Sequence, residues 1–291
     1  MVNHVSSKNI TGNSRVFGDE SQVEVVRSTE MDGREWLGDA PVCKALAKHN
    51  ILHAAVMHAK EGFAVSRAHQ SGTFMLACLA GEGMVLVDGR WKKVKAGQAC
   101  LLPPFVANSL KVVDGQDWKF CWVRYLESER WKPIVSEVSP VSGDFKGEPL
   151  ASAIQGLIAE CEVEQSPAAT HLWVELIQHY VLSFAQPHQK DDRLWKLWNM
   201  VEKNINKDWS LSDLAYGANL SEEHLRRLCK KQLGRSPMQH LIFLRMQRAS
   251  HLLSSSSDKV EVVAKAVGYS SAFHFSNVFA KWVGCRPSEH R

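Results

Sequence analysis

LSDLAYGANLSEEHLRRLCKKQLGRSP, residues 211–237, and VEVVAKAVGYSSAFHFSNVFAKWVGCRP, residues 260–287, are one pattern written twice. The offset of 49 residues becomes 50 after Ser270. Ala215 thus corresponds to Ala264, Leu220 to Tyr269, Leu225 to Phe275, Leu228 to Val278, Gly234 to Gly284 and Pro237 to Pro287. An internal repeat constrains architecture more than any single motif does. Each copy predicts a short helix, a tight polar turn and a second helix stopped by glycine. That is the helix-turn-helix layout, in which the second helix is shaped to enter a major groove.

Local signals place the helix ends. Asp258 and Glu261 suit a cap on the first helix of the second copy, Ser221 and Ser271 cap the second helices, and Gly234 and Gly284 stop them. In the first copy Leu225, Leu228 and Cys229 form an apolar stripe, while Glu223, Arg226, Arg227 and Lys230 recur on another face. In the second copy the stripe is Phe275, Val278, Phe279 and Trp282, and Phe273, Ser276, Asn277 and Ala280 take the outer positions. A helix opening at Ser236-Pro237 and running to the Ser254–Ser257 run joins the two units, with Arg245 on it as a structural residue.

The tail V-A-x-x-V-G-Y-x-x-x-x-x-F-x-x-x-F-x-K-x-x-G-x-x-P-x-x-x-R, Val263 to Arg291, resembles the signature of AraC/XylS-type transcription regulators. The resemblance extends upstream to about Trp195 and implies a seven-helix domain whose two recognition helices enter successive major grooves of double-stranded DNA. It implies base reading by Glu223, Arg226, Arg227, Phe273 and Asn277. Phosphate contacts are expected from Ser221, Lys230, Lys231, Ser271, Ser276 and Lys281. Two positions depart from the family pattern: Asn277 stands where arginine is common, and His290 where an aromatic is usual. With fewer charges on its second helix, the reader is expected to be asymmetric, the first unit dominating.

The charge distribution agrees. The net charge is +4, yet from His188 onward there are 17 lysines and arginines against 10 acids, which leaves the rest of the chain acidic. A basic third beside an acidic remainder is the footprint of a nucleic-acid module joined to something else. The seven cysteines are scattered without a C-x-x-C pair, which argues against a disulfide framework or structural zinc and for a reducing cytoplasm. No apolar run approaches the ~20 residues of a membrane span, and no signal core is evident.

Upstream, residues 1–45 are polar and read as an arm. From 46 to 135 the texture is that of short strands, with Gly81-Glu82-Gly83, Asp88-Gly89, Ala96-Gly97 and Pro103-Pro104 as punctuation; Asp-Gly is a hairpin signal. G-x5-P-P-x-x-x-N, Gly97 to Asn108, resembles the second motif of a cupin-type barrel, the sensor half of many AraC/XylS-type regulators. A metal-dependent cupin needs an H-x-H pair and a further histidine; here the first motif offers Arg67 and His69, and Asn108 takes the last position. No metal, cofactor or catalytic residue is therefore assigned. A small barrel holds one compact ligand among its inward side chains, and Arg67, His69, Trp91 and Trp122 are the candidates to touch it.

Residues 148–186 read as two helices. The second starts at Ser166-Pro167 and is expected to carry Leu172, Leu176, Ile177, Tyr180, Val181 and Phe184 along one side. The resemblance makes this the dimer contact. A linker is expected at 187–193 and the DNA-binding domain at 194–291, with helix-turn-helix units near 211–234 and 260–284. The fold class expected is therefore α+β and multidomain: an N-terminal cupin-like β-barrel with flanking helices, then an all-α domain with two helix-turn-helix units. The function implied is a cytoplasmic, homodimeric, non-enzymatic regulator. It would activate transcription in response to a sugar or other small metabolite, in contact with RNA polymerase and away from any membrane. Two alternatives stay open: a family member whose barrel only dimerises, and a cupin enzyme fused to a DNA-binding tail. A DNA-repair methyl acceptor sharing the helix pair would need clustered reactive cysteines.

Overall fold

Strand β5, Phe74–Val87, is the spine of the N-terminal half. The computed structural model describes residues 14–16, 20–31, 34–67, 72–104, 106–126, 134–135, 139–163, 166–186 and 193–290. Around β5 lie β1 (Ser14–Val16), β2 (Gln22–Arg27), β3 (Ile51–Ala59), β4 (Ala64–Arg67), β6 (Arg90–Lys95), β7 (Gln98–Leu102), β8 (Asn108–Val112), β9 (Trp118–Tyr125) and β10 (Ser142–Asp144). The first half of β5 pairs with β7 and β9, and β3 and β2 follow outward from β9. Its second half pairs with β6 and β8, and β4 and β1 follow outward from β8. All these pairings are antiparallel, and because its two halves pair with different neighbours, one long strand belongs to two sheets.

The sheets close over a core of Phe74, Leu76, Val85, Val87, Leu110, Trp118, Phe120 and Trp122, contributed by both. Period-2 alternation decides which side chains enter it. At the β5–β6 corner Asp88 and Gly89 take positive φ of 54° and 66°, the two-residue turn whose twist matches that of the flanking strands. Gly83 lies flat against the Trp118 ring, where a Cβ would collide.

Two helices, α1 (Glu148–Glu162) and α2 (Pro167–Ala185), cover the other face of the β9-side sheet, burying Leu150, Ile154, Leu157, Val174, Ile177 and Val181 against Ala54, Met75, Cys121 and Val123. The Ser166 hydroxyl accepts from the Ala169 amide at the start of α2.

The C-terminal half holds α3 (Arg193–Lys203), α4 (Leu211–Gly217), α5 (Glu222–Leu233), α6 (Pro237–Ser255), α7 (Val260–Ala266) and α8 (Ala272–Val283) around one apolar core. Within it Leu225, Cys229, Phe275 and Phe279 are fully buried. Helix α6 opens with a Ser236/Gln239 capping box and touches α4, α5, α7 and α8, so both repeats rest on it.

Several expectations change. Strand β2 falls inside the stretch read as an arm, because VEVV pairs with β3 along its whole length. Six helices, not seven, form the C-terminal half among the described residues; 287–289 make only a turn. Asp258 does not cap α7: Lys259 is the cap residue, and Asp258 bonds Ser256 instead. The capping box lies in the first copy, where Ser210 and Asp213 satisfy each other's amides. The single stripe expected on α2 splits. Ile177, Val181 and Phe184 face the sheet, whereas Leu172 and Leu176 are 68% and 39% exposed on another side. Of the expected linker, only Arg193 is described, and it starts α3.

Candidate nucleic-acid interface and ligand pocket

Both recognition helices, α5 and α8, begin with a serine whose hydroxyl accepts from the third helical amide: Ser221 from His224 and Ser271 from His274, each at 3.2 Å. Such a cap is worth about 1 kcal/mol. It also leaves the remaining N-terminal amides facing outward, where the helix dipole favours an anion such as a phosphate. Burial of Leu225, Cys229 and Leu233 on α5, and of Phe275, Phe279 and Trp282 on α8, fixes which face points away.

On that outer face Glu223, Arg226, Arg227, Lys230 and Lys231 are all exposed in the first unit. In the second, Phe273, Asn277 and Lys281 are exposed, Phe273 at 78%. Ser276 differs from expectation. It is half-buried and its hydroxyl donates to the Ala272 carbonyl 2.8 Å away, so its bond is made within the helix. Arg226 lies 3.4 Å from Glu222 and 3.8 Å from Glu223, one turn back on the same helix. Arg245 is a buried strut: its guanidinium donates to the Ile205 and Lys207 carbonyls and covers Tyr269.

The barrel core carries a polar cluster at one end. Across the β3–β9 and β4–β8 ladders, His53 pairs with Arg124 and Arg67 with Asn108, continuing the inward rows of Ala55, Trp122, Val65 and Leu110. The Arg67 guanidinium donates to Asn108 Oδ1 (3.2 Å) and lies 4.7 Å over Phe74. Trp122 Nε1 donates to His53 Nδ1 (3.0 Å), which makes Nε2 the protonated nitrogen of a neutral imidazole there. Trp36 packs edge-on to His53 with ring centroids 5.4 Å apart.

Two of the four expected pocket residues, Arg67 and Trp122, thus share this cluster. Trp91 does not: it pairs with Leu86 on the outer face, under the Lys111 ammonium. His69 lies outside the described residues. Sequence reasoning missed His53, Trp36 and Arg124. Had strand parity been fixed, His53 would have stood out as a polar residue in the inward row of ILHAAVMHA.

A further set of contacts had no sequence signal at all. The Asp88 carboxylate receives two bonds from the Arg235 guanidinium, 2.7 and 2.9 Å, with both side chains buried. Arg235 directly follows the glycine that ends α5, and its guanidinium stacks 3.8 Å over Phe243. Lys92 Nζ donates to the Gly234 carbonyl (3.3 Å), and burial pushes its ammonium below the usual lysine range. The Val141 amide donates to the Leu233 carbonyl (2.9 Å) and the Ala107 amide to the Val283 carbonyl (2.7 Å).

A family model described as an AraC-like ligand binding domain matches residues 51–181, and one described as a helix-turn-helix domain matches 214–291. The chain belongs to the AraC/XylS-type transcription regulators. Like other members, it joins a ligand-binding domain to a helix-turn-helix DNA-binding domain. It is 28% identical over 246 residues to the MmsAB operon regulatory protein of Pseudomonas aeruginosa, covering 78% of this chain and 77% of that one. It is 25% identical to the lactose operon transcription activator of Staphylococcus xylosus, over 72% of this chain and 80% of that one. With the raffinose operon transcriptional regulatory protein RafR of Pediococcus pentosaceus it shares 24% identity, over 68% and 76%. Asn277, where the resemblance expects arginine, is exposed on α8. The described helices include none long and apolar enough to cross a membrane.

Proposed function

We propose that this AraC/XylS-type regulator is a homodimeric, non-enzymatic, cytoplasmic activator that responds to a small polar ligand held at the His53–Arg67–Asn108–Trp122 end of its barrel. The observation that carries this reading is the polar cluster itself. Hydrogen-bonding groups and aromatic walls meet inside an otherwise apolar core, the usual make-up of a small-molecule site. The tryptophan faces and amide, imidazole and guanidinium groups suit a sugar or similar metabolite, and two relatives are named for the lactose and raffinose operons.

In this reading Arg226 and Arg227 read base edges, a good bidentate arginine–guanine pair giving ~1–3 kcal/mol of discrimination. Phe273 and Asn277 read more weakly, and Ser221, Ser271, Lys230, Lys231 and Lys281 hold phosphates. The exposed Leu172–Leu176 side of α2 supplies the dimer contact, and the DNA-bound dimer meets RNA polymerase. A repair methyl acceptor needs a reactive thiolate, whereas burial pushes Cys100 and Cys229 up to about 12. The test is a thermal-shift screen of the full chain against a panel of mono- and oligosaccharides and small polar metabolites. Stabilisation of the wild type that is lost in Asn108→Ala supports the pocket. Stabilisation equal in both places the ligand away from this cluster, and none across the panel points to a barrel that serves dimerisation alone.

A further inference from the structure

The barrel meets the two repeats at matching places. Leu233 and Val283 are the last residues of α5 and α8, and the repeat offset of 50 makes them equivalent. The last carbonyls of a helix have no partner within it. Here both are taken by backbone amides of the β-rich half: Leu233 by Val141 and Val283 by Ala107. The β5–β6 turn spans the same gap with consecutive residues. Asp88 grips Arg235, just past α5, and Gly89 lies so close to the Lys281 carbonyl on α8 that any Cβ there would collide with it. Gly284, at φ 98°, is similarly pressed against Ala107.

These contacts fall at the C-terminal ends of the recognition helices. Glu223, Arg226, Arg227, Phe273 and Asn277 lie toward the opposite, N-terminal ends and remain exposed. The barrel therefore leaves the reading faces open while holding both helices by their tails. Helix α6 is one link between the units, and a single helix permits small twists about its axis. A second link at each tail removes that freedom.

We propose that Asp88, Lys92 and Arg235 are spacing-determining residues: through them the barrel fixes the separation and angle of the two recognition helices, and so the distance between the two subsites this protein accepts in DNA. One added base pair moves a subsite by roughly 3.4 Å and turns it by about 34–36° about the duplex axis. A doubly braced pair of helices rejects both displacements; a pair joined by α6 alone follows them more readily.

The experiment uses the full chain and a duplex selected by it from random sequence, with the two protected subsites then moved together or apart by one base pair. Dissociation constants are measured by fluorescence anisotropy for wild type, Asp88→Asn and Lys92→Met. Asparagine is chosen because it tolerates the positive φ of position 88. The wild type is expected to bind the altered spacings at least about tenfold more weakly, a loss of about 1.4 kcal/mol. Folded Asp88→Asn is expected to narrow that penalty to within about threefold, and Lys92→Met to narrow it less. A variant that loses affinity by the same factor on every spacing, or keeps the full wild-type penalty, overturns the proposal. Should Asp88→Asn fail to fold, Lys92→Met decides alone, since its side chain is only half-buried. Failure of the wild type to select any duplex strikes the DNA-reading assignment instead, which separates the two outcomes.

Discussion

Arg235 and Asp88, 147 positions apart in the chain, meet in a two-bond ion pair from which water is almost excluded, the two side chains being 2% and 9% exposed. A buried pair of this kind adds little over an apolar replacement, but removing one partner strands the other charge. Asp88→Asn is therefore expected to destabilise the chain by about 3–5 kcal/mol, measured by urea unfolding. Replacing both residues, Asp88→Asn with Arg235→Met, should cost less than the two single changes added together. Strict additivity would mean that the pair carries no coupling.

Base reading is expected to be lopsided. Arg226→Ala and Arg227→Ala should each relax specificity by ~1–3 kcal/mol in competition binding against scrambled duplex, and Asn277→Ala by less. A larger loss from Asn277→Ala reverses the ranking of the two helices.

Arg226 is held by Glu222 and Glu223, so it must leave two carboxylates before it can meet a base. Glu223→Gln removes one of them, and with it a negative charge near the phosphates. Affinity for duplex DNA should rise, most clearly at low salt, where the exposed charge is least screened. Unchanged affinity at 50 mM salt would show that the contact does not restrain the arginine.

The exposed leucines of α2 give a test of assembly. Leu172→Lys with Leu176→Lys should convert the proposed dimer to monomer in sedimentation velocity while barely moving the melting temperature, because neither side chain lies in the sheet-facing core. A change in melting temperature with the oligomeric state intact would place these leucines in the fold instead.

Beside them, Glu175 bonds Lys48 and His49, which pulls its carboxyl from the usual 4.5 to about 2. A carboxyl lowered on folding stabilises the native state fully above 4.5 and loses that contribution as pH falls toward 2. The contribution is small, since the group is largely exposed. Glu175→Gln should flatten the fall in melting temperature over that pH window, and an unaltered pH profile would remove the link.

How much of this was legible depends on range along the chain. The recognition helices announce themselves because caps at Ser221 and Ser271, stops at Gly234 and Gly284 and the apolar period between them are all local. Even so, Asp258 was a false cap, since Ser256 two residues away competes for it. In the barrel, the Asp88-Gly89 turn sets the register that pairs Leu86 with Trp91, but Val85, Leu86 and Val87 are all apolar. The sequence therefore does not say which of them faces inward, which is why Trp91 reads as a pocket candidate and His53 does not. The α2 stripe misled in the same way, its leucines serving solvent or a partner and its isoleucine and valines the sheet. Nothing within a short window links residue 88 to residue 235, so the contact between barrel and helices had to be seen.

The two amide bonds from Val141 and Ala107 involve only main chain, and main-chain groups are the same whatever residue carries them. A sensor grafted from a relative would need to present two amides and a tight turn bearing an acid in the right places, with no other side chain matched. Exchange of sensors between such regulators is thus constrained at three points and otherwise left free, and hybrids should fail chiefly where the grafted turn lacks an acid to meet Arg235.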